Sequence, residues 1–408
     1  MSAARPYIPR PGVRAPAAPR FRQNRKAELR IWWREVDRVL LGLVLALMVI
    51  GSVAVAAASP ASARRLSSSS VRLDDLYFYW AHLRWQVVGL AVMLGASLLT
   101  RDTARRGGII LGAAMIAALV LVPVLGSEVN GAKRWIDLGI RFQPSEFLKP
   151  AYAILLAWIL SWKLRDPDLP VIPATMGLMG LVGLLLMMQP NLGDAMLFVG
   201  AWLAVAMLAG MPMQRIMMAG GAGMAALALA YVFYDNARHR IDSFIGGGTA
   251  FDQVDLASKA LLGGGWTGAG LWLGRRKMQL PEAHTDYIFS VIGEEFGLLM
   301  CGLVVLLYLA IVLRVIVRLL EEENVFALLA AAGLVVLFGG QAFINILVNL
   351  QLFPSKGMTL PLISYGGSST IAQCLTIGLL LALTRRNPFL SRDGLGLKAA
   401  LARQEKLR

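Results

Sequence analysis

The chain has 408 residues, of which 57% are hydrophobic and only 16% charged, with a mean hydropathy of +0.62. A soluble domain is closer to half apolar and a quarter charged, so a soluble enzyme, a disordered chain and a fibrous protein are all excluded in favour of a membrane protein with many spans. The excess of 40 Lys and Arg over 25 Asp and Glu lies at the two termini and in short loops, which reads as topology and contact with an anionic membrane surface rather than nucleic-acid binding.

Residues 1–36 are rich in Pro, Ala and Arg without an apolar period and read as a disordered basic tail. The first apolar run is Val39 to Ala58, followed by Ala61-Ser62-Ala63. That triplet resembles a signal-peptidase site, but the run is longer than a signal h-region and follows a long tail, so it is expected to remain as a transmembrane helix. Further runs are Gln86 to Leu99, Gly108 to Leu125, Phe147 to Trp162, Val171 to Met188, Ala195 to Met211, Ile216 to Phe233, Tyr287 to Val317, Val325 to Leu350 and Ile371 to Leu383. Several are shorter than the ~20 residues needed to cross hydrocarbon and must extend into flanking amphipathic residues. The expected fold is therefore all-α and polytopic, with about ten transmembrane helices between residues 37 and 387 and a second tail over 388–408.

An even number of spans puts both termini on one side. Arg101, Arg105, Arg106, Lys163, Arg165, Arg314, Arg318, Arg385 and Arg386 fall on that same side, which the positive-inside rule assigns to the cytoplasm. A long loop over about 235–286, and the loops holding Gly131 to Ser145 and Leu352 to Ser369, then face outward.

The polar residues of the outward half are the informative ones. Lys133, Arg134 and Trp135 stand just before a helix start with Glu146, and Lys149 follows one turn later. The two cations suit an anionic headgroup or a diphosphate, although an interfacial Trp beside snorkelling cations gives the same pattern. Gly263 to Gly270 precede Arg275, Arg276 and Lys277; glycines permit close backbone approach and the cations suit a diphosphate, while a mobile basic-rimmed loop reads equally.

Glu282, His284 and Asp286 lie where the eighth span begins. Partial desolvation there makes the Asp286 carboxylate more basic, which suits a general base near neutral pH; a carboxylate that satisfies helix N-terminal amides is the plainer alternative. Glu294 and Glu295 sit inside that span, and Gln341, Asn345 and Asn349 form a stripe on one face of the ninth. Buried ionisable groups are costly in a membrane, so they should pair or line a polar cavity. The three histidines lack metal-ligand spacing, so no zinc site is expected. Cys301 and Cys374 lie in apolar runs and define no disulfide framework.

Together these motifs resemble the SEDS family of shape, elongation, division and sporulation proteins. The match is carried by Gly131 to Gly139 with Gln143 to Glu146, by Arg240 to Phe244, by Gly264 to Gly270 through Leu280 to Glu295, and by Asn345 to Ser369, including Ile363-Ser364-Tyr365-Gly366-Gly367-Ser368-Ser369. Pro354 to Pro361, with Lys356, is similar to the division branch rather than the elongation branch.

The resemblance implies an inverting peptidoglycan glycosyltransferase that polymerises lipid II during division, in the bacterial inner membrane at the septum. Its implied partners are a class B penicillin-binding protein and other division proteins. Asp286 matches the family's essential loop aspartate and would act as general base. The implied substrate-binding set is Lys133, Arg134, Trp135, Glu146, Lys149, Arg240, Lys277, Glu282, His284, Glu295, Asn345 and Ser368. Mg²⁺ or Mn²⁺ is a candidate helper, with no organic cofactor. One motif departs: the usual acidic-Pro-Asp-x-Gly-Thr is here Gln189-Pro190-Asn191-Leu192-Gly193-Asp194. A lipid II flippase, an elongation-type polymerase and a non-catalytic scaffold are the competing readings.

Overall fold

The computed structural model describes residues 25–385, apart from 68–71, 130–131, 138, 140, 165, 167, 234–237, 239–240, 243, 245, 247–252 and 355–356. It divides into two units, one of 1–36 with 386–408 and the other of 37–385. In the first, α1 (Arg25–Glu35) is helical where the composition led to an expectation of disorder. Its Trp32 and Trp33 rings lie 5.9 Å apart.

In the second unit the apolar runs become α2 (Arg38–Leu66), α3 (Tyr77–Ser97), α4 (Arg101–Leu125), α5 (Pro144–Ser161), α6 (Val171–Met187), α7 (Leu192–Leu208) and α8 (Met213–Phe233). After α9 (Gln253–Gly263) come α10 (Ile288–Leu319), α11 (Val325–Asn349) and α12 (Gly367–Leu383). Helices α2, α4, α8, α10 and α11 are each long and apolar enough to cross a membrane, and α6, α7 and α12 are shorter apolar helices. The protein is a polytopic, all-α membrane protein. The run Gln86 to Leu99 falls mostly in α3, which starts nine residues earlier, at Tyr77, and ends at Ser97.

Caps set several starts. Asp37 Oδ1 accepts from the amides of Val39 and Leu40 at 3.1 Å each, Thr100 Oγ1 from Thr103 N at 3.2 Å, and Asn324 Oδ1 from Ala327 N at 3.0 Å. Each supplies an acceptor to orphan helix amides. Helix α5 is the core element: apart from Phe147 and residues near its C-terminal end it is buried throughout, between α4 and α11. Helix α12 lies against α3, where Gly89 faces the Cys374 side chain and Gly378 faces the Met93 backbone, too close for a Cβ on either glycine. Helix α8 buries none of its residues.

The loop before α5 carries structure that periodicity did not signal. Strands β1 (Ser127–Val129), β2 (Ala132–Asp137) and β3 (Arg141–Phe142) form an antiparallel sheet in the order β1-β2-β3. Lys133 pairs with Glu128, Ile136 with Phe142 and Asp137 with Arg141. Strands of two to six residues are too short to show an alternating pattern in sequence.

Candidate active site

Asp286 lies in the turn Leu280–Tyr287 that leads into α10, and it is half-buried. Its backbone is clamped from α11. Asn345 Nδ2 donates to the Asp286 carbonyl at 2.8 Å and Asn349 Nδ2 to the same oxygen at 3.2 Å. Asn345 Nδ2 also donates to Met358 O at 2.6 Å. Asn349 Oδ1 accepts from Ser290 N at 3.2 Å and from Ser290 Oγ at 2.7 Å. The Asn stripe thus ties the Asp286 turn, the start of α10 and the segment before α12 to one helix.

A second seam joins the Asp286 turn to that last segment. Ser364 Oγ donates to Thr285 O at 2.6 Å, and Tyr365 N to His284 O at 2.9 Å. Gly357, at φ +61°, passes so close that a Cβ there would lie 3.4 Å from Asp286 Oδ2. The His284 ring is buried against Phe78 and Tyr365, with centroids at 4.3 and 5.3 Å, and Nδ1 lies 2.8 Å from Ser62 Oγ. Burial pushes its pKa down to about 4, opposed by the nearby Glu282 carboxylate, so the ring is neutral near pH 7 and acts as a packed support. Glu282 is exposed and accepts from Thr285 Oγ1 at 2.7 Å.

Beneath the turn is a buried polar network. Lys149 Nζ meets Glu146 Oε1 at 2.7 Å, Asp194 Oδ1 at 3.0 Å and Gln341 Oε1 at 2.9 Å. Asp194 Oδ2 accepts from Ser145 Oγ at 2.9 Å and from Asn191 Nδ2 at 2.7 Å. Gln341 Nε2 donates to Thr359 O at 3.0 Å, and Thr359 Oγ1 lies 2.7 Å from Ser369 Oγ. The chain of contacts therefore runs from α5 and α7 through α11 to the segment carrying Met358 and Gly357. Ser368 is buried next to it.

The remaining predicted residues lie on other elements and make contacts of their own. Lys133 is exposed on β2 and Trp135 is half-buried beside it. The Arg134 guanidinium is engaged by main-chain carbonyls at the α6–α7 break, with Nε 3.0 Å from Gln189 O and Nη2 bonded to Pro190 O. Lys277 is buried and pairs with Glu295 Oε1 at 2.5 Å while donating to Ala57 O at 2.7 Å. Glu295 also accepts from the amides of Trp272 and Gly274, and Glu294 from those of Arg276 and Lys277 at 2.7 Å each. These two carboxylates hold the glycine loop by its backbone. Arg240 lies outside the described residues.

Sequence reasoning passed over Gly357, Thr359, Ser62 and Gln373, whose Nε2 donates to Gln341 Oε1 at 3.0 Å. Gly357 and Thr359 lie in the Pro354–Pro361 motif, whose resemblance pointed to a branch of the family and not to a role for either residue, while Ser62 and Gln373 are neutral residues in apolar stretches. Among the described residues no three His, Cys, Asp or Glu side chains come together as a metal cage.

The comparisons with known proteins identify the family. The probable peptidoglycan glycosyltransferase FtsW of Caulobacter vibrioides is 36% identical over 371 residues, covering 90% of this chain and 94% of that protein. The protein of the same name from Methylococcus capsulatus is 37% identical, covering 85% of this chain and 89% of its own length. Among solved structures, a chain from a peptidoglycan synthase complex that coordinates polymerization and crosslinking superposes with a TM-score of 0.68 at 26% identity, covering 86% of this chain and 97% of that one. The Thermus thermophilus rod shape determining protein RodA gives 0.63 at 28% identity, with 86% and 96% covered. The family described as cell cycle protein, FtsW/RodA/SpoVE, matches residues 37–388, and the chain belongs to it.

Proposed function

We propose that this protein is a peptidoglycan glycosyltransferase of the division type, polymerising lipid II into glycan strands with Asp286 as general base. The observation that carries the reading is the double amide clamp of Asn345 and Asn349 on the Asp286 carbonyl. It holds one half-exposed carboxylate still at the end of the helix bundle, as positioned proton transfer requires.

In the reaction a sugar hydroxyl attacks the anomeric carbon of a second, diphosphate-linked sugar. The new C–O bond forms as the bond to the diphosphate breaks, and the electron pair leaves with the diphosphate. The hydroxyl proton passes to the Asp286 carboxylate. The leaving diphosphate needs positive charge rather than a proton. Lys133 is the exposed cation on the β2 rim for that task, while Arg134 is engaged by the Gln189 and Pro190 carbonyls and Lys277 by Glu295 and the Ala57 carbonyl. Mg²⁺ or Mn²⁺ would add positive charge at the leaving diphosphate.

The lipid chain makes a membrane scaffold necessary for a sugar reaction. The distribution of Arg and Lys supports cytoplasmic termini and a periplasmic Asp286, with action at the division septum. The partner is a class B penicillin-binding protein that crosslinks the product, working among other division proteins. The structural match to a chain of a peptidoglycan synthase complex supports this assembly.

The test is glycan formation from lipid II by the purified protein with its class B partner, the latter inactivated for crosslinking. Wild type should give polymer and Asp286→Asn none, with equal expression and equal partner binding. Polymer from both would remove Asp286 from the mechanism. Lipid II translocation without polymer would move the assignment to a flippase.

A further inference from the structure

Helices α2 and α10 share a level at one end, where Asp37 Oδ2 holds Arg314 Nε at 2.8 Å and Arg318 Nε at 2.7 Å. Both also touch the glycine loop Gly264–Gly274 further along. On α2 the contact is Ala56, whose carbonyl accepts from Trp272 Nε1 at 3.0 Å. On α10 it is the break at Gly297, at φ 81° and ψ 175°. There Leu298 N donates to Gly265 O at 2.9 Å and Ala269 N to Glu294 O at 2.8 Å. From Asp37 to Ala56, and from Arg314 back to Gly297, the helical rise is about 28 and about 25 Å. Two independent rulers thus put the loop at the far edge of a ~30 Å hydrocarbon layer.

The chemistry of the loop fits that level. Pro60 has no N–H, so Ala56 O lacks its intrahelical donor, and the Trp272 indole supplies one. Trp272 is held there at φ +66°, a costly conformation for a bulky residue. Even so its side chain stays exposed, as do Trp266 at 71% and Leu273 at 68%, with Leu262 and Leu271 beside them. Arg275 and Arg276 follow immediately and are also exposed. Indole rings and leucines next to cations is the order of groups met on leaving hydrocarbon for headgroups.

The geometry points to this loop, Trp266 with Leu271–Arg276, as an interfacial anchor. It seats Trp266, Trp272 and Leu273 in the acyl–headgroup boundary of the leaflet at the Asp286 end. Arg275 and Arg276 meet the phosphates of anionic phospholipids there. The bulk leaflet is the occupant, and the anchor fixes the height of the Lys277–Glu295 seam relative to the membrane.

The test uses full-length protein with Leu273→Cys, labelled with an environment-sensitive fluorophore in nanodiscs containing phosphatidylglycerol. Cys301 and Cys374 are buried, and wild type gives the labelling background. Nitroxide on a shallow acyl carbon should quench the label about threefold more than aqueous iodide does, each scaled to the free dye. Iodide quenching equal to that of the free dye would overturn the anchor. Protection from both quenchers would overturn it too, and assign the face to a protein. Adding Arg275→Glu and Arg276→Glu should lower lipid quenching about twofold in anionic discs only. An unchanged signal would overturn the phosphate contact. An unaltered melting temperature in each variant separates these results from misfolding.

Discussion

At the scale of single residues, the site is built from neutral amides around charges. Asn345 and Asn349 donate to the Asp286 carbonyl, not to its carboxylate, so they position the proposed base without neutralising it. A net hydrogen bond is worth about 1 kcal/mol, or roughly fivefold in rate when the loss is felt only at the transition state. Asn349→Ala should therefore lower kcat about five- to tenfold with KM retained, read in the polymerisation assay; a loss confined to KM would contradict positioning. The departed motif is also explained here. Asp194 supplies the carboxylate that meets Lys149, and Asn191 supports it with its amide. Removing one partner of a buried pair costs about 3–5 kcal/mol. Asp194→Asn should melt several degrees lower, and adding Asn191→Asp should recover part of the loss, because the carboxylate returns within the same hydrogen-bonded cluster. A melt no better than that of the single variant would show that position 191 cannot serve Lys149.

At the scale of elements, apolar period and length revealed the helices, and the reasons are visible in their ends. Val171 to Met188 and Val325 to Leu350 became α6 and α11 almost unchanged, since Pro170 and Asn324 mark their starts. The Asn stripe and the buried Lys149 were legible from helical spacing and from the cost of charge at depth. What stayed hidden depends on contacts distant in sequence. Arg314 and Arg318 read as topology signals, yet both bind Asp37, nearly three hundred residues earlier. Lys277 read as a ligand for diphosphate, yet Glu295 occupies it. Asp37 caps α2 and clamps α10 in one side chain, so Asp37→Asn should destabilise the protein by about 2 kcal/mol. Thermal melting in detergent checks this, and an unchanged melting temperature would mean that the two arginines find other partners at no cost.

At the scale of the whole molecule, the membrane-spanning body is a frame that fixes one small turn. The described contacts of the Asp286 turn come from residues 37–385: Ser62 on α2 and Phe78 on α3 meet His284, Asn345 and Asn349 on α11 hold the Asp286 carbonyl, and Gly357 to Tyr365 lie before α12. The terminal segments 1–36 and 386–408 form a separate unit, and their many cations suit contact with anionic lipid. Catalysis and terminal contacts should therefore be separable. A chain from Asp37 to Arg385 should fold with the melting temperature of the full protein, because its cap at Asp37 and its buried pairs are intact. With its class B partner in detergent it should polymerise lipid II within about twofold of the full-length rate, since no transition-state contact is removed. A loss of activity at unchanged melting temperature would show that the tails act on the Asp286 turn through the bundle. A loss of both would show that the two units form one cooperative structure.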